Sequence, residues 1–136
     1  GHPLPMRVTI DRLTPHRDPR GLVVEPLGAN ALPRQRNVHV VVIEPGCVRG
    51  NHHHPRGTET MTVLGPALVR LREDGVVRDV SVPEGGVWRF VIPPGVAHAV
   101  LNTGTMPGLI VSFNDVAYDP SDPDVVRDVL IEATMR

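Results

Sequence analysis

The stretch Gly46-Cys47-Val48-Arg49-Gly50-Asn51-His52-His53-His54-Pro55-Arg56-Gly57-Thr58-Glu59 decides the fold. On a strand, residues two apart point the same way, so His52 and His54 share one face and His53 takes the other. On a helix the same pair would diverge by about 200°. The pair therefore makes a metal clamp only on a strand. Glu59 follows past a Pro55–Gly57 bend that can return it to the same pocket. A later segment, Gly86 to Asn102, supplies His98 just after the turn Pro93-Pro94-Gly95. Three neutral imidazoles and one carboxylate suit a divalent first-row metal (Zn, Fe, Mn or Ni) and leave coordination positions for water or substrate. His52, His54, Glu59 and His98 are the candidate ligands.

The rest of the chain agrees with strands. Val contributes 23 of 136 residues, and Pro and Gly, at 15 and 13, punctuate short apolar runs. β-branched residues favour a pleated surface, and recurring runs between turns are the pattern of an antiparallel sandwich or barrel. Expected strands cover 6–10, 22–25, 38–44, 48–54, 58–64, 68–72, 76–82, 87–92, 97–101 and 109–113, with a hairpin turn at Glu73-Asp74-Gly75. Residues 11–20, with two prolines and several charges, read as a loop. Only four aromatics exist, so the core must be aliphatic, with Trp88 and Phe90 as packing residues. Asp122-Pro123-Asp124 followed by Val126, Val129, Leu130 and Ala133 at helical spacing predicts one short C-terminal helix over about 123–135. The expectation is an all-β, single-domain chain of residues 1–136, with a barrel core over about 34–118.

Composition also excludes. The net charge is −1, which gives no surplus to attract nucleic acid or an anionic membrane. All 14 basic residues are Arg, which removes Schiff-base lysine chemistry and the phosphate-loop lysine. The lone Cys47 rules out an internal disulfide and a multi-Cys zinc site, and nothing beside it in the sequence marks it as reactive. No apolar run reaches membrane-spanning length and no leader pattern appears, which predicts a soluble, cytoplasmic protein.

The two histidine segments resemble the paired motifs of the cupin superfamily, G-x5-H-x-H-x3–4-E-x6-G and G-x5-P-x-G-x2-H-x3-N. The first is matched at Gly46, His52, His54 and Glu59, with Gly65 one residue early. The second is matched at Pro93, Gly95, His98 and Asn102, with Gly86 one residue further upstream. The resemblance implies an antiparallel jelly-roll barrel (a double-stranded β-helix) with the metal inside. More narrowly, Arg49-Gly50-Asn51-His52-His53-His54 with Thr58-Glu59 resembles the R-G-N-H-x-H…T-E run of cupins in sugar-nucleotide and capsular-polysaccharide biosynthesis. In that group the middle residue of the triplet is usually aromatic; here it is His53. Asn114-Asp115, Tyr118-Asp119-Pro120 and Pro123-Asp124 resemble the tail of the same group.

That resemblance implies a metal-dependent isomerase or epimerase of a keto-sugar, nucleotide-linked. An iron(II) oxygenase and a non-enzymatic metal- or ligand-binding cupin are the other readings of the same ligand set. His39 shares strand parity with Val41 and Ile43 and points into the barrel, as a catalytic base or as a satisfied core imidazole. Tyr118 is an acid at the site mouth or a packing residue beneath the helix. Arg34 and Arg36 clamp a diphosphate or are solvated strand-entry residues. Asn102 is a third candidate for substrate binding. Arg70 and Arg72, alternating with Val69 and Leu71, read as a solvent face. The partner is a small-molecule substrate and a second copy of the chain. Val38, Val40 and Val42 share one face, and His39, Val41 and Ile43 the other, so both faces of that strand ask to be covered.

Overall fold

The structure, a computed structural model, describes residues 7–132. Twelve strands follow in order: β1 (Thr9–Arg12), β2 (His16–Asp18), β3 (Gly21–Val23), β4 (Asn37–Ile43), β5 (Val48–His53), β6 (Glu59–Leu64), β7 (Ala67–Glu73), β8 (Val76–Val82), β9 (Val87–Ile92), β10 (Ala97–Asn102), β11 (Gly108–Asn114) and β12 (Val126–Arg127). Two five-stranded antiparallel sheets face each other, ordered β1-β9-β6-β11-β4 and β12-β5-β10-β7-β8, with β2-β3 as a separate ribbon. This is the expected jelly roll. The β7–β8 turn is Asp74-Gly75, both at positive φ (52° and 76°), as a two-residue hairpin of the primed kind requires.

The core lies between the sheets and is aliphatic apart from Phe90. Phe90, Val69 and Leu71 have no exposed surface, and Val63 and Ile92 retain 1% each. Burying each such side chain contributes roughly 1.5–3 kcal/mol. Trp88 is partly buried at the edge of this cluster, with the Arg12 guanidinium over its ring. On β6, Glu59, Met61 and Val63 alternate with Thr60 and Thr62, which face the outer layer; Thr62 Oγ1 donates to Pro26 O at 3.0 Å.

Two expectations need correction. The segment read as a loop over 11–20 contains β2, which pairs with β3, and the Asp18 carboxylate accepts from Arg20 N at 2.8 Å to close the turn between them. The helix expected over 123–135 does not form over its described part, and residues 133–135 lie outside the described residues. Among the described residues the one helical turn is a 3-10 turn at Leu32–Arg34. The reason is competition for backbone groups. Asp122 and Asp124 do not cap their own chain; both carboxylates face Arg56. Asn51 Oδ1 accepts from Leu130 N and Ile131 N at 2.9 and 3.0 Å, and its amide donates to Ile131 O at 2.9 Å. A short helix rich in Val is marginal alone, and these bonds outweigh it. The tail therefore runs as a strap along β5, pairing Val126 with His53 and Arg127 with His52. Met6, placed in the opening strand, also lies outside the described residues. No helix among the described residues is long and apolar enough to cross a membrane.

Candidate metal centre

His52 and His98 face each other across the β5–β10 ladder. The register shifts between His98 and Ala99, whose partner is Gly50, so Asn51 is the extra residue of a β-bulge. Gly50 has φ +92°, and a Cβ there would lie 2.8 Å from His98 O; only glycine fits. Asn51 adopts φ 58°, a left-handed conformation that its short polar side chain tolerates. The bulge lets both His52 and the exposed Arg49 line the same cavity, although strict alternation would put them on opposite faces.

His54 lies one residue past β5, and Glu59 opens β6 on the other sheet. Donor atoms of His52, His54, Glu59 and His98 all lie within 4.8 Å of one another. Glu59 Oε1 is 2.7 Å from His54 Nε2 and 3.4 Å from His98 Nε2. Carbonyl oxygens fix two of the rings. His54 Nδ1 donates to Asp124 O at 2.7 Å, and His98 Nδ1 donates to Val96 O at 3.0 Å, so each Nε2 is turned to the centre. His98 Nε2 is buried and has no hydrogen-bond partner. An orphaned, aimed imidazole nitrogen is what a metal site needs, and an apolar core would not leave one.

The electrostatics fit. Burial pushes the His52 imidazole down to about 4, reinforced by His98, so at neutral pH it offers a lone pair. Burial alone would raise the Glu59 carboxyl, but His98 and His54 outweigh it and hold the group below its usual range. His54 is shifted upward: burial opposes this, while Glu59 and the Asp124 carbonyl overcome the burial cost. The four residues therefore suit a divalent cation, which would take the place of the proton shared by His54 and Glu59.

The cluster opens on a cavity of about 270 Å³ whose apolar wall is Val41, Met61, Val100 and Ile110. Its polar, non-ligand residues are His39, Arg49 and Ser112. A smaller pocket of about 110 Å³ shares His39, His54, Glu59 and Ser112 and adds Tyr118, which is 69% exposed.

A family model described as the polysaccharide biosynthesis C-terminal domain matches residues 16–126. The chain belongs to this family, and it is a cupin. It is 28% identical over 130 residues to the spore coat polysaccharide biosynthesis protein SpsL of Bacillus subtilis, covering 88% of this chain and 86% of SpsL. Its fold matches the capsular polysaccharide assembling protein CapF of Staphylococcus aureus at TM-score 0.65 and 24% identity, over 87% of this chain and 33% of CapF. The chain thus spans about a third of CapF. It matches QdtA, a sugar 3,4-ketoisomerase of Thermoanaerobacterium thermosaccharolyticum solved with TDP, at TM-score 0.68 and 17% identity, over 89% of this chain and 88% of QdtA.

Other candidates of this cupin lie elsewhere. Asn102 is buried four residues along β10 from His98, where its amide group bonds Ile43 O, Met106 O and Gly104 N, all structural contacts. Arg34 lies on the outer side of the first sheet, in a groove that includes Thr60 and Arg89, and its guanidinium donates to Asn30 O at 3.1 Å. Arg36 is exposed; its amide donates to Asn114 O, and it lines neither cavity at the tetrad. Arg70 and Arg72 face outward as read, paired with Asp79 and Asp128. Sequence reasoning missed Arg49, Ser112 and Asp124. Ser112 was within reach, since it shares parity with Ile110 and pairs with His39. Arg49 was hidden by the bulge.

Proposed function

We propose that this cupin is a metal-dependent isomerase or epimerase of a nucleotide-linked keto-sugar, serving polysaccharide or secondary-metabolite biosynthesis. The observation that carries the reading is the meeting of two sets of groups in adjoining cavities. Four ligand-type side chains converge with a buried, unpartnered His98 Nε2, and His39 and Tyr118, outside that set, sit beside them. The names of SpsL and QdtA support the substrate class.

His52, His54, Glu59 and His98 would hold the ion. When bound, it would act as a Lewis acid that polarises a substrate carbonyl. The chain's own residues do the rest. His39, at a ring nitrogen, and Tyr118, at Oη, are the groups that take a proton from the carbon beside the carbonyl and return one. Arg49 has no ion-pair partner among the described residues and lines the cavity; its planar guanidinium suits a diphosphate. The apolar wall of Val41, Met61, Val100 and Ile110 limits water around the reacting carbons. The active unit in this reading is a two-fold pair of chains, joined over the exposed valines of β4.

In heavy water, the protein should wash deuterium into the carbon beside the carbonyl of a 4-keto-6-deoxy sugar nucleotide. No exchange across a panel of such sugars, with substrate-dependent oxygen uptake by the iron-loaded protein, would replace this reading with the oxygenase.

A further inference from the structure

Along Asn51-His52-His53-His54 the residues alternate between two tasks. His52 and His54 present ring nitrogens to the centre, while Asn51 and His53 hold the C-terminal strap. Asn51 binds residues 130 and 131, and His53 Nδ1 meets Asp128 Oδ2 at 2.9 Å. The strap also reaches the bend that separates two ligands. Residues 54–58 cross from the second sheet to the first, so their amides lie outside both ladders. Arg56 N donates to Asp124 Oδ1 at 2.9 Å, Gly57 N to Asp124 Oδ2 at 2.7 Å, and Thr58 N to Asp115 Oδ1 at 2.9 Å. The same Asp124 accepts the His54 Nδ1 proton on its main-chain oxygen. The fit is tight: a Cβ on Gly57 would lie 2.4 Å from Asn114 Oδ1 and 3.0 Å from Asp124 Oδ2.

We propose that Asp124 is a positioning residue of the metal centre. Its carboxylate clasps the Arg56–Gly57 backbone, and this holds its carbonyl on His54 and fixes the His54–Glu59 half of the tetrad. The inference rests on the metal reading above and adds to it a dependence of ion affinity on a strap some 70 residues away in sequence. A ring locked by its second nitrogen loses less freedom on coordination, and such outer contacts are typically worth 10- to 100-fold in affinity. The arrangement is reciprocal: an ion that fixes His54 also fixes the strap.

The test is calorimetric titration of the chelator-stripped full chain with Zn²⁺ alone. Asp124→Ala should weaken the dissociation constant 10- to 100-fold while still binding one ion at saturation. Asp124→Asn, which keeps one acceptor oxygen, should recover part of the loss. Val82→Ala, a core change away from the strap, lowers the melting temperature and should leave the constant within about twofold. In the unsubstituted chain, Zn²⁺ should slow amide hydrogen exchange at Arg56 and Gly57 at least tenfold while leaving Asp79, on β8, unchanged; this readout does not depend on how a variant folds. Equal affinity in Asp124→Ala, or an equal loss in Val82→Ala, would overturn the inference. So would exchange at Arg56 and Gly57 that ignores the ion. An unsubstituted chain that takes up no Zn²⁺, or a His98→Ala chain that takes it up unchanged, would bring down the tetrad itself.

Discussion

His52 and His98 are direct cross-strand partners, with ring centroids 4.7 Å apart and planes at 84°. Cross-strand neighbours so close normally pack or hydrogen-bond to each other. These rings meet edge to face with no hydrogen bond between them, which leaves His98 Nε2 without a hydrogen-bond partner and available to a third party. The relationship depends on the Asn51 bulge, which brings His52 into register with His98 and lets the next residues return toward β6.

The first prediction concerns that pair. His52→Ala or His98→Ala should lower bound metal and melting temperature together, because an ion that binds only the folded chain stabilises it. At a hundredfold excess over the dissociation constant this is worth about 2.7 kcal/mol, or a melting shift on the order of 10 °C. Elemental analysis and thermal melts, with and without chelator, read it. The variants' deficit should shrink in chelator; an undiminished metal content in both would exclude the tetrad.

The second concerns Gly50. Gly50→Ala would bring a Cβ to 2.8 Å from His98 O and 3.2 Å from Ala99 Cα, at φ +92°. The strained backbone alone should cost about 2 kcal/mol, and relief of the clash must push β5 off β10. Metal affinity should therefore fall along with stability. A melt superimposable on the parent's would mean that the bulge is not built as described.

Much of this was legible in the sequence because punctuation and parity were local. Pro45-Gly46, Pro93-Pro94-Gly95 and Asp74-Gly75 end strands by their own backbone preferences, and Leu68 to Arg72 and Val87 to Ile92 carry alternation that survives in the fold. The histidine spacing was legible for the same reason. What was not legible depended on distant competition. Asp122-Pro123-Asp124 reads as a helix start, yet its carboxylates serve Arg56 and Gly57, a choice no local pattern records. Asn102 fits a motif position, and only the fold shows its amide committed to Ile43 and Met106.

The third prediction concerns β4. It is an edge strand of its sheet, and Val38, Val40 and Val42 stand 55%, 69% and 50% exposed. Among the described residues the tail pairs with β5 on the other sheet, and the three valines stay exposed. An edge with three exposed valines invites a second copy. Sedimentation at micromolar concentration should give the mass of two chains, and Val40→Glu should halve it. A single species of 14.8 kDa in the parent would refute the pair.

The last prediction concerns acid. Asp128 is held below the usual carboxylate range, first by the Arg72 guanidinium and, against some burial cost, by His53 as well. Its side chain is 18% exposed and anchors the strap through both partners. A carboxyl whose folded pKa is depressed binds protons more weakly than in the unfolded chain. Its contribution is therefore fully present above the unfolded value near 4 and is lost as pH falls through the folded one. Asp128→Asn should cost about 1 kcal/mol at neutral pH, in the range of partly exposed charged hydrogen bonds. The gap in melting temperature between parent and variant should stay constant from about pH 8 to pH 5 and close below about pH 4. A gap that persists undiminished to pH 2 would mean that Asp128 holds the strap by shape alone, and the charged contact to Arg72 would then have to be discarded as a source of stability.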